Sequence, residues 1–395
     1  MKQICTKVVI TSVLLGSMLY ADTPTKKKLK PAFETLWQKT YGGSDDDIAH
    51  GVVMLENGDS AIVGECKSAG AIRDDICVSR IDSKGDTKWR KLISGKKEDR
   101  GMAISRAKDG NLLVLGSGKS FNDNGDRDLL IAKLSLDGKI LWQKSFGGDR
   151  DEYAGGISGT NDGGVLAVGS TESFSKRGYK DIIIIRLDKN GKKISEHTIG
   201  GKRGDEAKSL TRTADGNFMV VGAREVSRAG DSDFFLMKLD KNGKKIWART
   251  FGGGDLDVLN AVAPTPDGGI VATGATRSFG SKQTDLSVMY FNKNGKLIWH
   301  KIYGYDYYDE GNAITMTKNG GFMVAGATNS MGEGEYDTYV IALNSKGSLI
   351  WSKLYGGREN DIAHGITRTS DGGIIIVGES DSFKRSKDFY MIKLK

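Results

Sequence analysis

A period close to 52 residues runs through this chain and confines it to repeat architectures. The six tryptophans, Trp37, Trp89, Trp142, Trp247, Trp299 and Trp351, are spaced by 52 or 53 residues, apart from one gap of 105 that is two periods long. Ser195 stands in the middle of that gap, in a stretch, GKKISEHTIGG, that otherwise keeps the pattern. A glycine ladder repeats the count: Gly64, Gly116, Gly169, Gly222, Gly274, Gly326 and Gly378 each end a short apolar run such as AIVG or MVVG. Seven repeats over 395 residues argue for one array instead of two or three unrelated domains.

Each repeat reads as four short strands. In the third, the runs YAGGISGT, VLAVGST, DIIIIRLD and KISEHTI have strand length and no helical period, and turns of the Asp-Gly and Asn-Gly kind separate the first two and the last two. The chain has 54 glycines and only 4 prolines, which places the glycine excess in tight turns. A four-stranded unit of this length repeated seven times predicts an all-β, seven-bladed propeller. The two ends are complementary: the last repeat stops at Lys395 without a Trp strand, and the first opens with an unpartnered one, TLWQKTY. The N-terminal strand is therefore expected to complete the last blade and close the ring.

Residues 1–21 read as an export signal: Lys2 and Lys7 precede an apolar run from Val8 to Leu19, too short to span a membrane, and Ala21 offers a small residue for cleavage. Residues 22–34 read as a basic tether and 35–395 as a single propeller domain. The mature protein is then exported, periplasmic or secreted, monomeric, and not transmembrane. A net charge of +8, dispersed along the chain, does not suggest nucleic acid. Cys66 and Cys77 flank the long loop of the first repeat, and an oxidising compartment makes a disulfide between them the expectation.

The motif Leu-Asp-x-Asn-Gly-Lys-x-Ile-Trp, seen at Leu239 to Trp247, with the recurring Phe-Gly-Gly, Asp-Gly-Gly and Val-Gly elements, resembles bacterial exported β-propeller repeats of the delta-60 and seven-bladed-propeller kinds over residues 35–395. The Gly-Lys-x-x-Trp portion is also similar to the tryptophan-docking motif of pyrroloquinoline-quinone dehydrogenases and of the periplasmic propeller lipoprotein of outer-membrane protein assembly. Those generally have eight blades; this chain has seven, no lipobox cysteine and no quinone-binding constellation, so quinoprotein activity does not carry over. The resemblance implies the fold and an envelope location, and leaves function to the site.

Residues that recur in every repeat read as scaffold, and those that break the pattern as candidates for function. Asp47, Asp99, Glu152, Asp205, Asp257, Asp309 and Asp361 form one acidic ladder, and Asp75, Asp128, Asp181, Asp233, Asp285, Asp337 and Asp388 a second. Asp47, Asp99 and Asp361 are the candidate calcium ligands, against a reading in which such carboxylates cap turn N–H groups. His50 and His364, at matching positions in IAHG, become neighbours on closure but make only half of a metal site. The pattern breaks most clearly in the sixth repeat, where Tyr305, Asp306, Tyr307 and Tyr308 replace the usual glycine-rich loop. The long loops add Arg177, Lys180, Arg224, Arg228, Lys384 and Arg385, a candidate basic rim. The segment Gly116-Ser-Gly-Lys-Ser120 lacks the first P-loop glycine and is rejected, and no catalytic constellation is visible. The expected function is a non-catalytic binding or scaffold module for a protein or envelope polymer, without a cofactor. The alternatives are a lectin-like propeller for glycans or small ligands and a calcium-dependent propeller hydrolase.

Overall fold

The computed structural model describes residues 33–395 apart from 69, 72, 94, 122–123, 176–177, 228–229, 282 and 384–385. The expected export signal and most of the tether lie outside the described residues. Twenty-eight strands, numbered β1 to β28 in chain order, form seven four-stranded antiparallel sheets, with no helix among the described residues. In the first blade β2 (Asp47–Met54), β3 (Ser60–Cys66), β4 (Asp75–Ile81) and β5 (Thr87–Ile93) lie in that order from the axis outward. The second and third strands of each blade are nearly all buried because a neighbouring blade covers each face, so they read as continuous apolar runs such as IIIVGES and DIIIIRL. Clusters cross each seam: Val63, Ile76 and Val78 of the first blade pack with Leu112, Val114 and Leu130 of the second.

The hairpins joining first to second strands, and in the first six blades those joining third to fourth, turn at one end of the propeller, hereafter the turn face. There glycines such as Gly58 and Gly85 take φ values of 85° and 84°, a region that disfavours side chains. The connections between second and third strands, and those between blades, lie at the other end, the loop face.

The ring closes as the chain ends suggested. β1 (Thr35–Tyr41) pairs antiparallel with β28 (Asp388–Leu394), aligning Trp37 with Lys393 and Tyr41 with Phe389, in a sheet completed by β27 (Ile374–Ser380) and β26 (Asp361–Arg368). Glu34 and Lys395 exchange both backbone hydrogen bonds, at 2.7 and 2.9 Å, and Phe33 packs 6.1 Å from Trp351. Phe33 and Glu34 thus extend the propeller by two residues beyond the expected start.

The glycine ladder has a local cause. Every innermost strand carries a β-bulge: in the first blade Ala49 faces Gly64 and Gly51 faces Val63, so His50 is the extra residue. Met102, Gly155, Lys208, Asn260, Asn312 and His364 are the extra residues of the other blades. The bulge swings the Ile48 carbonyl over Gly64, where a Cβ would overlap it, and the other six ladder glycines face the equivalent carbonyl in the same way.

The tryptophans bridge the seams. Trp89 covers the outer turn of the second blade, its Nε1 donating to the Leu136 carbonyl at 2.9 Å, and Trp142 does the same to Lys189 at 3.3 Å. At Ser195 the indole is missing, and the corresponding turn glycine, Gly243, abuts Leu166 and Ile184 instead. Since those side chains fill part of the gap, Ser195→Trp is expected to stabilise by about 1 kcal/mol, below the roughly 1.5–3 kcal/mol of a fully buried large side chain. An unchanged or lowered urea midpoint would mean that no room remains for the ring.

Candidate functional site

The acidic ladders sit on the loop face, and their surroundings describe turn caps. Asp47, Asp99, Glu152, Asp205, Asp257, Asp309 and Asp361, each the first residue of an innermost strand, are at most 1% exposed. Gly253 N–H donates to Asp257 and Gly357 N–H to Asp361, both at 2.9 Å; Ser120 N–H donates to Asp99 at 3.1 Å. Hydroxyls complete the caps: Ser68 donates to Asp47, and Ser382 to Asp361 at 2.6 Å. Burial pushes the carboxyls of Asp99, Glu152, Asp205 and Asp257 above the usual range. The second ladder meets the first across the first loop glycine of several blades: Gly42 lies between Asp388 and Asp47, Gly147 between Asp128 and Glu152, and Gly252 between Asp233 and Asp257. A Cβ on Gly356 would lie 2.7 Å from Asp337 and 2.5 Å from Asp361, so the Gly-Gly motif records the close approach of two carboxylates. Among the described residues no group of three or more His, Cys, Asp or Glu side chains is placed to hold a metal ion. Asp47, Asp99 and Asp361 cap the loops of three different blades, through Ser68, Ser120 and Ser382.

Asparagines at two of the bulges tie blade to blade. Asn260 Nδ2 donates to the Gly311 carbonyl at 3.2 Å, and Asn312 Nδ2 to the Ala363 carbonyl at 3.2 Å. His50 and His364 face each other across the closing seam with ring centroids 5.2 Å apart, and His50 Nε2 lies 3.3 Å from Glu65 Oε1. Burial, followed by the charges of His50 and Lys387, holds the His364 imidazole down at about 3, so it is neutral at physiological pH.

The loop face also carries the most exposed rings among the described residues. Tyr305 and Tyr307 are 59% and 58% exposed, with Asp306 exposed between them. Their backbone is fixed from below: Tyr305 N–H donates to Asp309 at 2.9 Å and Tyr307 N–H to Ser330 at 3.2 Å. Tyr308 differs. Its hydroxyl donates to Glu310 at 2.6 Å and its ring stands edge-on to Tyr336 at 5.6 Å, so it props the loop and is only half-buried. Phe174, Tyr179, Phe279 and Phe383, all exposed, come from the loops of the third, fifth and seventh blades on the same face. Sequence reasoning passed over the three phenylalanines, although a signal exists: Ser-Phe recurs at 120–121, 173–174, 278–279 and 382–383. The serine is structural, since Ser173, Ser278 and Ser382 accept from Arg150, Asp255 and Glu359 N–H at 3.0–3.1 Å, and its fixed position sets where the following ring emerges.

The basic rim is less free than its composition suggests. Lys180 pairs with Glu206 at 3.0 Å and lies 4.1 Å over the Tyr153 ring. Arg224 pairs with the buried Asp205 and stacks 4.7 Å over Phe235. Arg177, Arg228, Lys384 and Arg385 lie outside the described residues. Cys66 and Cys77 are bonded, with Cα atoms 5.7 Å apart; both are fully buried between β3 and β4 and span the base of the long loop.

Comparisons with known proteins agree on the architecture. The family profile described as outer membrane protein assembly factor BamB matches residues 127–304. Regulatory protein FlaEY of Caulobacter vibrioides is 25% identical over 227 residues, 49% of this chain but only 24% of that protein, so the match spans about a quarter of its length. Among solved structures, the Pan2 WD40 domain of Neurospora crassa aligns with a TM-score of 0.54 at 10% identity, covering 92% of this chain and 94% of that one. A Dyadobacter fermentans protein of unknown function gives 0.52 at 11% identity, over 92% and 99% of the two chains. Plexin A of Drosophila, solved in complex with Semaphorin 1b, gives 0.53 at 9%, over 92% and 87%. The chain is a seven-bladed β-propeller whose central repeats are similar to those of the outer-membrane assembly factor.

Proposed function

We propose that the protein is a non-catalytic, exported propeller that binds a protein or envelope polymer through its loop face. The observation that carries this reading is the set of six exposed rings, Phe174, Tyr179, Phe279, Tyr305, Tyr307 and Phe383, gathered on one face from four blades of a rigid ring. Rigid aromatic side chains offer large contact area at low entropic cost, and they dominate the energetics of protein interfaces. The ladders of buried acids on the same face are occupied in holding loops, which suits a preorganised platform. The export part of the proposal rests on the basic and apolar pattern of residues 1–21. The likeness to an outer-membrane assembly factor over residues 127–304 is in keeping with an envelope location.

The test is capture of partners from the native envelope extract by the wild-type protein and by the Tyr305→Ala/Tyr307→Ala double variant. Tyr308 is left in place because it supports the loop. A protein or glycan polymer retained by the wild type and reduced at least about tenfold by the variant, with an unchanged melting temperature, is the expected result. Identical retention by both would remove the aromatic face from the binding site.

A further inference from the structure

The turn face, away from the exposed rings, holds a cavity of about 650 Å³ lined from five consecutive blades, with Asn161, Arg212, Pro264, Thr315, Met316 and Arg368 among its walls. No aspartate or glutamate lines it. The carboxylates of the surrounding turns are engaged elsewhere. Asp109, Asp162 and Asp215 pair with the nearly buried bases Lys133, Arg186 and Lys238 at 2.7, 2.5 and 2.7 Å. Asp267 accepts from the Tyr290 hydroxyl at 2.7 Å, and Asp371 pairs with Lys395 at 3.3 Å.

The repeats supply an internal comparison for the arginines. Three innermost strands end in arginine, Arg106, Arg212 and Arg368, and each guanidinium reaches toward the turn of the preceding blade. Arg106 finds a carboxylate there, Glu56, at 2.8 Å. At the equivalent turn position Arg212 finds the neutral Asn161, 2.8 Å from Oδ1. Arg368 reaches the Thr317 carbonyl at 3.5 Å, and the residue equivalent to Glu56 is there Lys318. The two arginines that line the cavity are thus the two whose turn partner is not an acid.

We propose that this cavity binds a small organic anion bearing a carboxylate or phosphate group, held by Arg212 and Arg368 with its apolar part against Pro264, Pro266 and Met316. A guanidinium matches either anion bidentately, and two of them facing a shared, partly apolar hollow of this volume have the make-up of a small-molecule site. The site uses none of the loop-face residues, so it stands or falls independently of the aromatic platform.

Isothermal titration of the full chain with pyrophosphate and with citrate tests it. Saturable one-to-one binding of at least one probe is expected, weakened about tenfold by Arg212→Gln or Arg368→Gln and about a hundredfold by both together. Which probe binds tells a phosphate ligand from a carboxylate one. Arg106→Gln, which does not touch the cavity, should leave the affinity unchanged. Arg212 and Arg368 are exposed, so melting temperatures of their variants should match the wild type and exclude misfolding as the cause of any loss. No saturable heat with either probe, or equal affinity in the double variant, overturns the proposal.

Discussion

Deleting residues 32–43 should lower the melting temperature by more than about 10 °C, because it removes the strand that closes the ring. Without β1 the last blade has three strands, and β28 loses its outer neighbour along its whole length. Phe389, Tyr390, Met391 and Ile392, now at most 2% exposed, would lie on or beside an open edge. The deleted segment also takes away Trp37 and Tyr41, which pack against the seam with the first blade, and the Tyr41 hydroxyl bond to the Gly85 carbonyl at 2.7 Å. Each large side chain withdrawn from the core costs about 1.5–3 kcal/mol and each net ladder hydrogen bond about 1 kcal/mol, so a loss of about 5 kcal/mol or more is expected. If the shortened chain does not fold, Trp37→Ala within the full chain gives a milder form of the same test, with a drop of about 2–4 kcal/mol. A peptide of residues 33–43 added in trans should raise the melting temperature of the shortened protein. Unchanged melting on deletion would show that the seam does not depend on β1.

The scaffold was legible in the sequence because it is periodic, and most of what remained illegible is not. Tryptophan spacing gave the blade count, and the unmatched Trp strand at one end gave the closure. Both are statements about order along the chain, and topology follows from order. The bulge was not foreseen, although its trace, a glycine always opposite the same position, was present seven times. A glycine reports that something approaches closely without saying what, and the approaching group here is a backbone carbonyl that carries no sequence signature. The aromatic loop of the sixth blade stood out as a break in the pattern, but exposure could not be read from it: Tyr305 and Tyr307 point to solvent while Tyr308, one residue on, is tied to Glu310. The partners of two basic-rim residues were hidden for a related reason. Lys180 pairs with Glu206 of the next blade and Arg224 with Asp205 of its own, and such pairing depends on a register that composition does not contain. The arginines of the turn face were hidden differently, since Arg212 and Arg368 are set apart from Arg106 by the residue that the blade before each supplies.

The bulge yields the sharpest test of why the repeat looks as it does. Gly274→Ala places a Cβ into the Val258 carbonyl and 2.8 Å from the Leu259 Cα, and neither atom can withdraw without undoing the bulge at Asn260. Losing the bulge would shift the innermost strand by one residue and turn its inward set outward, a change that the seam with the sixth blade forbids. Overpacking against backbone inside such a constrained sheet costs more than the 1–3 kcal/mol usual for a mobile side chain, so a loss of about 3 kcal/mol or more is expected in urea unfolding. The control is Gly254→Ala, at a loop glycine whose added Cβ would meet nothing within 4 Å. That change should stay within about 0.5 kcal/mol of the wild type. Similar effects of the two substitutions would mean that the glycine ladder reflects flexibility and not the carbonyl above it. A large loss at Gly274 alone would tie the most regular feature of the sequence to the feature that inserts one extra residue into each innermost strand. The identity of those seven residues would then be free to vary, as His50, Met102, Gly155, Lys208, Asn260, Asn312 and His364 do, while the glycine facing each bulge is not.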